Sequence, residues 1–328
     1  MAESSQRRVS LNEQVLTSMR KAKVFKLHER RVNSMDFSSN GEVFISSGDD
    51  ESLQLYSAVQ GKHLKTIPVK KYGTGLVRFT HHNSAVICAS QNNFDHSLRY
   101  LSIHENRYLR YFQGHCERVI SLAMSPRDDT FFSSSLDKSI RFWDLRDERC
   151  QGILRCHGRG VVDYDPEGVV FGVAYSEGRK LVIKLFDLRQ FYLGPFYDTT
   201  RDVPTTAETS CLKFSKDGRF MLVTTAEPQP KIQLFDAIEP ANLLFTYTGH
   251  SNDESNYLEA SFTPDSKQVL SGSEDGSIFI WSTTTGKHIV TLTGHEGPVC
   301  AVKWNPQYAM MASACQNVVF WLPSALST

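Results

Sequence analysis

Among the seven cysteines (Cys88, Cys116, Cys150, Cys156, Cys211, Cys300 and Cys315) there is no CxxC pair, which removes the paired-thiolate zinc and redox motifs. Their odd number and irregular spacing suit reduced thiols of the cytosol or nucleus rather than a disulfide framework. His115-Cys116 and Cys156-His157 each set two zinc-type ligands side by side. Adjacent strand residues face opposite ways, however, and no second pair stands at ligand spacing, so no metal is expected. No glycine-rich phosphate loop joins a strand to a helix, and no nucleotide or other cofactor is expected. No apolar run approaches the length of a signal or membrane segment, which points to a soluble intracellular chain without a membrane partner. Charge of one sign is lacking too: 36 Lys and Arg balance 36 Asp and Glu. The bulk charge therefore calls for no polyanion, and sequence-specific nucleic acid is not expected as a direct partner.

What is present is repetition. Residues 133–146 read SSSLDKSIRFWDLR, a small polar run, an Asp, then apolar residues at alternate positions closing on Trp143-Asp144, as in the last half of a WD-type repeat. Aligned on Trp143, the same strand end recurs at Tyr56, Leu101, Phe186, Phe235, Trp281 and Trp321, with successive spacings of 45, 42, 43, 49, 46 and 40 residues. One four-stranded propeller blade takes about 40–45 residues. Seven phased copies predict an all-β, seven-bladed WD-repeat β-propeller, and 328 residues then form one domain, because propellers grow by radial repetition.

Residues 1–14 read as a disordered tail, 15–323 as the propeller and 324–328 as a second tail. Residues 21–27 (KAKVFKL) read as a strand, followed by His28 where Gly-His pairs follow the outer strands of other blades. The last copy has no room for its own outer strand, so this N-terminal strand is expected to complete blade seven and remove two exposed sheet edges. Blade two, with Tyr72-Gly73 near the Gly-His position and Leu101 in place of the aromatic, and blade five, which lacks the Gly-His, are the least regular.

In blade three His115, a serine of the run 133–135, Asp137 and Trp143 resemble a hydrolase triad. The set returns in blade six as His250, Ser271 or Ser273, Asp275 and Trp281, and partly in blade one as His28 and Asp50. A catalytic triad is not needed several times per chain. The expected role is a buried hydrogen-bond chain in which Asp holds His, His meets Ser and the hydroxyl meets the indole N–H. The chain reads as non-enzymatic.

That leaves surfaces. The loops entering each blade and those between its second and third strands converge on one rim. They carry Arg30, Arg31, Lys70, Lys71, Arg118, Lys138, Arg159, Arg179, Lys180 and Arg201 from blades one to five, against Asp253, Glu254 and Glu296 from blades six and seven. Such an arc suits an acidic or phosphorylated peptide, with Tyr72 and Phe94 adding apolar contacts. Interspersed Glu29, Asp49, Asp50, Glu51 and Glu117 allow the plainer reading of a solvated rim. Residues 191–197 (FYLGPFY) are read as outer-strand core in preference to an exposed anchor.

The runs 95–115 (DHSLRYLSIHENRYLRYFQGH), 125–146, 258–276 (LEASFTPDSKQVLSGSEDG) and 311–323 (MASACQNVVFWLP) together resemble the WD-repeat protein eighty-two or Swd-two-like family, a subunit of COMPASS histone methyltransferases. The resemblance implies a nuclear scaffold that joins the SET-domain subunits methylating histone H3 at lysine four. It also implies recognition of the phosphorylated RNA polymerase II tail, and occurrence in protein phosphatase one and transcription-termination complexes. A second class stays in view: Trp143-Asp144-Leu145-Arg146, echoed at 186–189, resembles the WDxR box that docks the adaptor of a cullin-four ubiquitin ligase.

Overall fold

The computed structural model describes residues 11–202, 207–254 and 256–324. Its strands form seven four-stranded antiparallel sheets, each running from an inner to an outer strand in chain order, save one. Blade one comprises Val32–Phe37, Val43–Gly48, Ser52–Ser57 and Lys62–Pro68; blade two Leu76–Phe79, Ala85–Ala89, Leu98–Ser102 and Arg107–Phe112; blade three Val119–Met124, Thr130–Ser135, Ser139–Asp144 and Asp147–Arg155. Blade four is Val161–Tyr164, Val170–Glu177, Lys180–Asp187 and Tyr197–Asp202; blade five Glu208–Phe214, Phe220–Ala226, Ile232–Asp236 and Leu243–Tyr247; blade six Ala260–Phe262, Gln268–Gly272, Ser277–Ser282 and His288–Thr293.

The exception is blade seven, where Ala301–Trp304, Met311–Ala314 and Val318–Pro323 take Met19–Phe25 as their outer strand. Met19 lies opposite Pro323 and Phe25 opposite Val318. Ring closure by the N-terminal strand is thus as the repeat count required, with the strand beginning two residues earlier than the sequence pattern indicated. Of the expected tail, residues 1–10 lie outside the described residues, as do 325–328. Its boundary at 14 moves, because Asn12 caps a short helix, Glu13–Thr17, by accepting the Val15 N–H at 2.9 Å. Asn is among the best residues for that position. Val15 and Leu16 on this helix are buried, Leu16 packing among Leu292 of blade six and Trp321 of blade seven, so the turn seals the joint where the ring closes.

Burial is greatest on the second strand and least on the outer one, as blades three and six show. The second strand of blade three is buried at every position, while its outer strand alternates exposed and half-buried residues. The polar central runs, such as Ser133 to Ser135, must therefore find partners inside the protein. In an antiparallel blade the loop entering the first strand and the loop joining the second to the third lie at the same end. All such loops of the ring form one face.

Candidate functional site

The loop face is held to the blades by the His, Ser, Asp and aromatic sets. In blade three His115 meets Asp137 Oδ2 through Nδ1 at 2.9 Å and Ser133 Oγ through Nε2 at 2.8 Å, and Trp143 Nε1–H donates to the same hydroxyl at 2.8 Å. Asp137 also accepts the Cys116 N–H and the Ser139 hydroxyl. Burial pushes its carboxyl up, but the bonds from Ser139 and His115 outweigh this and bring it down to about 2. Blade one repeats the arrangement with His28, Asp50, Ser46 and Tyr56. Blade seven does so with a change of chemistry: His295 Nε2 and Trp321 Nε1 meet Ser313 Oγ at 2.6 and 2.7 Å, but Cys315 Sγ stands where the acid would be, 3.0 Å from His295 Nδ1.

Blade six departs from the expected chain. His250 packs edge-on against Trp281, with ring centroids 5.6 Å apart, yet its Nδ1 is buried without a hydrogen-bond partner among the described residues. The Asp275 carboxylate caps the Ser277 N–H instead, and Ser271 bonds the Gly272 carbonyl. The loop after His250 is fastened differently, by Ser273 Oγ accepting the Ser251 N–H at 3.0 Å and by Asn252 clasping Asn256 through two bonds. Burial lowers the His250 ring to about 4.

The cations of the rim separate into two groups. Arg30, Arg31, Lys70, Lys71, Arg118 and Lys138 are exposed on the loop face and Arg159 is half-buried there. None of these forms an ion pair among the described residues. Arg179 and Lys180 are exposed at the hairpin of blade four. Arg201 turns away: its Nη1–H donates to the Ala241 carbonyl at 2.7 Å, in the turn before the outer strand of blade five, which lies at the opposite end. The loops carrying Tyr72 and Phe94 are joined through residues 91 and 92. The Gln91 and Asn92 N–H groups bond the Tyr72 carbonyl, Asn92 Oδ1 caps the Phe94 and Asp95 N–H groups, and Phe94 stands 96% exposed beside them. Beneath, the Arg99 guanidinium lies 3.5 Å from the Tyr72 ring centroid and pairs with Asp95.

Below this face the channel carries a charge network that the sequence reading missed. Lys303 Nζ meets Asp36 at 2.8 Å, joining blades seven and one. Arg78 of blade two reaches across to Glu259 at 2.8 Å, just before blade six, and Lys213 lies 3.5 Å from Asp163 and 4.0 Å from Glu259. Burial pushes Glu259 up, but Arg78, Lys303 and Lys213 hold its carboxyl down to about 2. At the far mouth a funnel of about 380 Å³ opens between Pro126, Pro166, Pro264 and Pro306, with Phe214 and Phe262 in its wall. A charged residue within an otherwise apolar inner strand was the available signal.

On the opposite end the Asp144 and Arg146 side chains form a forked ion pair at 2.6 Å, with Arg146 76% exposed and Trp143 fully buried. Identical forks join Asp147 to Arg149 and Asp187 to Arg189. Residues 191–197 are outer-strand core only at their end: Tyr197 opens the outer strand of blade four and packs on its core, and Phe191 packs against Phe142 and Phe171 over Gly152. Tyr192, Leu193 and Phe196 are 73, 71 and 61% exposed, because Phe191–Leu193 form one 3-10 turn that ends at Gly194 with φ +98°. Among the described residues no group of three or more His, Cys, Asp or Glu is placed to hold a metal, and no helix is long and apolar enough to cross a membrane.

Comparison with known proteins adds three findings. The family model described as WD domain, G-beta repeat matches residues 19–57, 106–144, 241–282 and 286–321. The chain is 43% identical over 319 residues to WD repeat-containing protein 82 of Drosophila melanogaster, covering 97% of this chain and 98% of that one. It is 33% identical over 329 residues to COMPASS component SWD2 of Saccharomyces cerevisiae (96% and 98%), and 32% identical over 358 residues to Set1 complex component swd2 of Schizosaccharomyces pombe (95% and 99%).

Proposed function

The chain belongs to the family of WD repeat-containing protein 82 and Swd2, and from that premise we propose that it is a non-catalytic nuclear scaffold of a Set1 or COMPASS-type complex methylating histone H3 at lysine four. The observation that carries this is the end-to-end likeness to a protein named as a COMPASS component, with 96% of this chain aligned. The His, Ser and Asp groups that would supply hydrolase chemistry are consumed in blade-to-loop bonds repeated around the ring. A catalytic serine would need its hydroxyl free to attack, whereas Ser133 is fully buried beneath Trp143.

Within that complex the loop face is the surface that meets the phosphorylated RNA polymerase II tail. What supports this is the run of cations from Arg30 to Arg159, unpaired among the described residues, flanked by exposed Phe94. Phosphate carries nearly two negative charges and accepts forked bonds from such groups. The same face would serve phosphatase-one and termination complexes by the same chemistry. The Asp144-Arg146 fork gives the ligase-adaptor reading no advantage, since two further corners carry the same fork.

The test is recovery of SET-domain methyltransferase subunits from nuclear extract on the immobilised full-length protein, alongside paired phosphorylated and unphosphorylated tail peptides. Absence of those subunits would remove the scaffold reading. Equal affinity for the two peptides would remove the phosphate reading.

A further inference from the structure

The cations of the loop face are not equivalent, and Arg159 is set apart by how it is built. A Cβ at Gly158 would lie 2.1 Å from the Ser176 carbonyl oxygen, and one at Gly160 would lie 3.1 Å from Cys156 Sγ. The loop is therefore wedged between blades three and four, with no room for a side chain at 158 and little at 160. Its backbone is pinned further by Thr209, whose hydroxyl donates to the Arg159 carbonyl at 2.7 Å. From this clamped position the guanidinium sits over Tyr257, its Cζ 3.4 Å from the ring centroid.

The platform is itself fixed. Tyr257 O–H donates to Glu208 Oε2 at 2.7 Å, so the carboxylate nearby is engaged by the phenol. Arg159 Nε is buried and has no acceptor among the described residues. Burial pulls the proton affinity of the group down, and the neighbouring Arg118 cation adds to that effect. From the other side of the channel Arg31 of blade one donates to Asn256 Oδ1 at 2.8 Å, one residue from Tyr257. Two arginines from blades one and four thus converge on a single loop of blade six. A desolvated guanidinium with its face covered and its edge free presents donors in the plane that a tetrahedral oxyanion requires. Glu208 offsets this charge only from a distance, forming no ion pair with it, and an incoming anion would relieve it further.

We propose that Arg159 on its Tyr257 platform, with Arg118 and Arg31 beside it, is a receptor for a phosphate monoester, and that the outlying Lys70 and Lys71 add only screened attraction indifferent to phosphorylation. This rests on the phosphate reading of the loop face given above and narrows it to one pocket. The phosphate has two sources, a phosphorylated peptide or a free polyanion such as an inositol phosphate.

The experiment uses the full-length protein in two assays. In the first, inorganic phosphate is titrated while the arginine Nε–H resonances are followed by nuclear magnetic resonance, the Arg159 signal being assigned by its loss in Arg159→Ala; it is expected to shift. In the second, paired tail peptides are measured against wild type, Arg159→Ala, Arg159→Lys and the Lys70→Ala, Lys71→Ala double variant. Wild type is expected to prefer the phosphorylated peptide by about tenfold or more, the size of a charge-assisted fork. Arg159→Ala should reduce the preference to about twofold or less, and Arg159→Lys, which keeps charge without the fork, should fall between. The double lysine variant should weaken both peptides by a similar factor. Retention of the full preference in Arg159→Ala, or an unmoved Arg159 resonance, overturns the receptor. If phosphate shifts Arg159 but wild type ignores the phosphorylated peptide, the tail reading falls and the receptor stands, with an inositol phosphate that binds the pocket identifying the free source.

Discussion

Blades two and three lie side by side and hang their loops from the same place by different chemistry. In both, a carboxylate at the turn before the third strand takes the N–H and hydroxyl of the serine two residues on: Asp137 from Ser139, Asp95 from Ser97. In blade three that carboxylate holds a neutral His115 brought by the incoming loop. In blade two it holds Arg99, brought by the third strand itself. The serine and indole are replaced accordingly: Cys88 lies opposite Arg99 as Ser133 lies opposite Arg141, and Leu101 stands at the position of Trp143. Blade two thus fastens its loop through Tyr72 stacked on a buried cation, a contact tolerant of what the loop carries, and it is on this corner that Phe94 is displayed. A histidine corner specifies its loop; an arginine corner supports one.

Four tests break or sharpen that contrast. Trp143→Ala removes the indole from blade three and should cost about 3–5 kcal/mol in chemical denaturation, from lost packing and the cavity left behind. An unchanged midpoint would mean that the corner is not structural.

Acid titration extends the contrast to blade six, where no carboxylate bonds the histidine. The folded His250 ring is lowered from 6.5 to about 4 by burial, so the unfolded chain takes up a proton first as pH falls. Its stabilising contribution is whole above about pH 6.5 and drains away toward pH 4, by about 3 kcal/mol. His250→Gln should flatten the fall of melting temperature across that window.

Asp95→Ala should exceed Asp137→Ala. The former strands a buried guanidinium, at the lower end of about 3–5 kcal/mol because Asp95 is itself 32% exposed. The latter leaves a neutral ring short of an acceptor, about 1–3 kcal/mol. The reverse order, read from denaturant midpoints, would refute the division of roles. Phe94→Ala should change stability by no more than about 0.5 kcal/mol while lowering capture of partners on the loop face, the smallest effect on the fold and the cleanest on function.

The ring and its closure were legible because each blade writes the same alternation at nearly the same interval, ending in residues such as Tyr56, Trp143 and Trp281. The corner residues of blades one and three were legible for the same reason. Blade six was not: His250 and Asp275 stand in register, yet His250 Nδ1 finds no partner among the described residues and Asp275 accepts from the Ser277 N–H instead. The network of Asp36, Arg78, Asp163, Lys213, Glu259 and Lys303 was hidden because its members lie on different blades and face one another only after the circle is complete. Residues 191–197 misled through composition, since four aromatics in seven residues read as core. The 3-10 turn at Phe191–Leu193 half-buries Phe191 and leaves Tyr192 and Phe196 exposed, while Tyr197 alone joins the outer strand.

The pairing of Met19–Phe25 with Val318–Pro323 also sets an order of events. Among the described strands, the first in the sequence finds its neighbour in the last, so until that last strand has been made it waits with both edges bare. A chain stalled before residue 318 carries six complete sheets, the two-stranded hairpin of Ala301–Trp304 with Met311–Ala314 and one unpaired strand, and such bare edges invite aggregation.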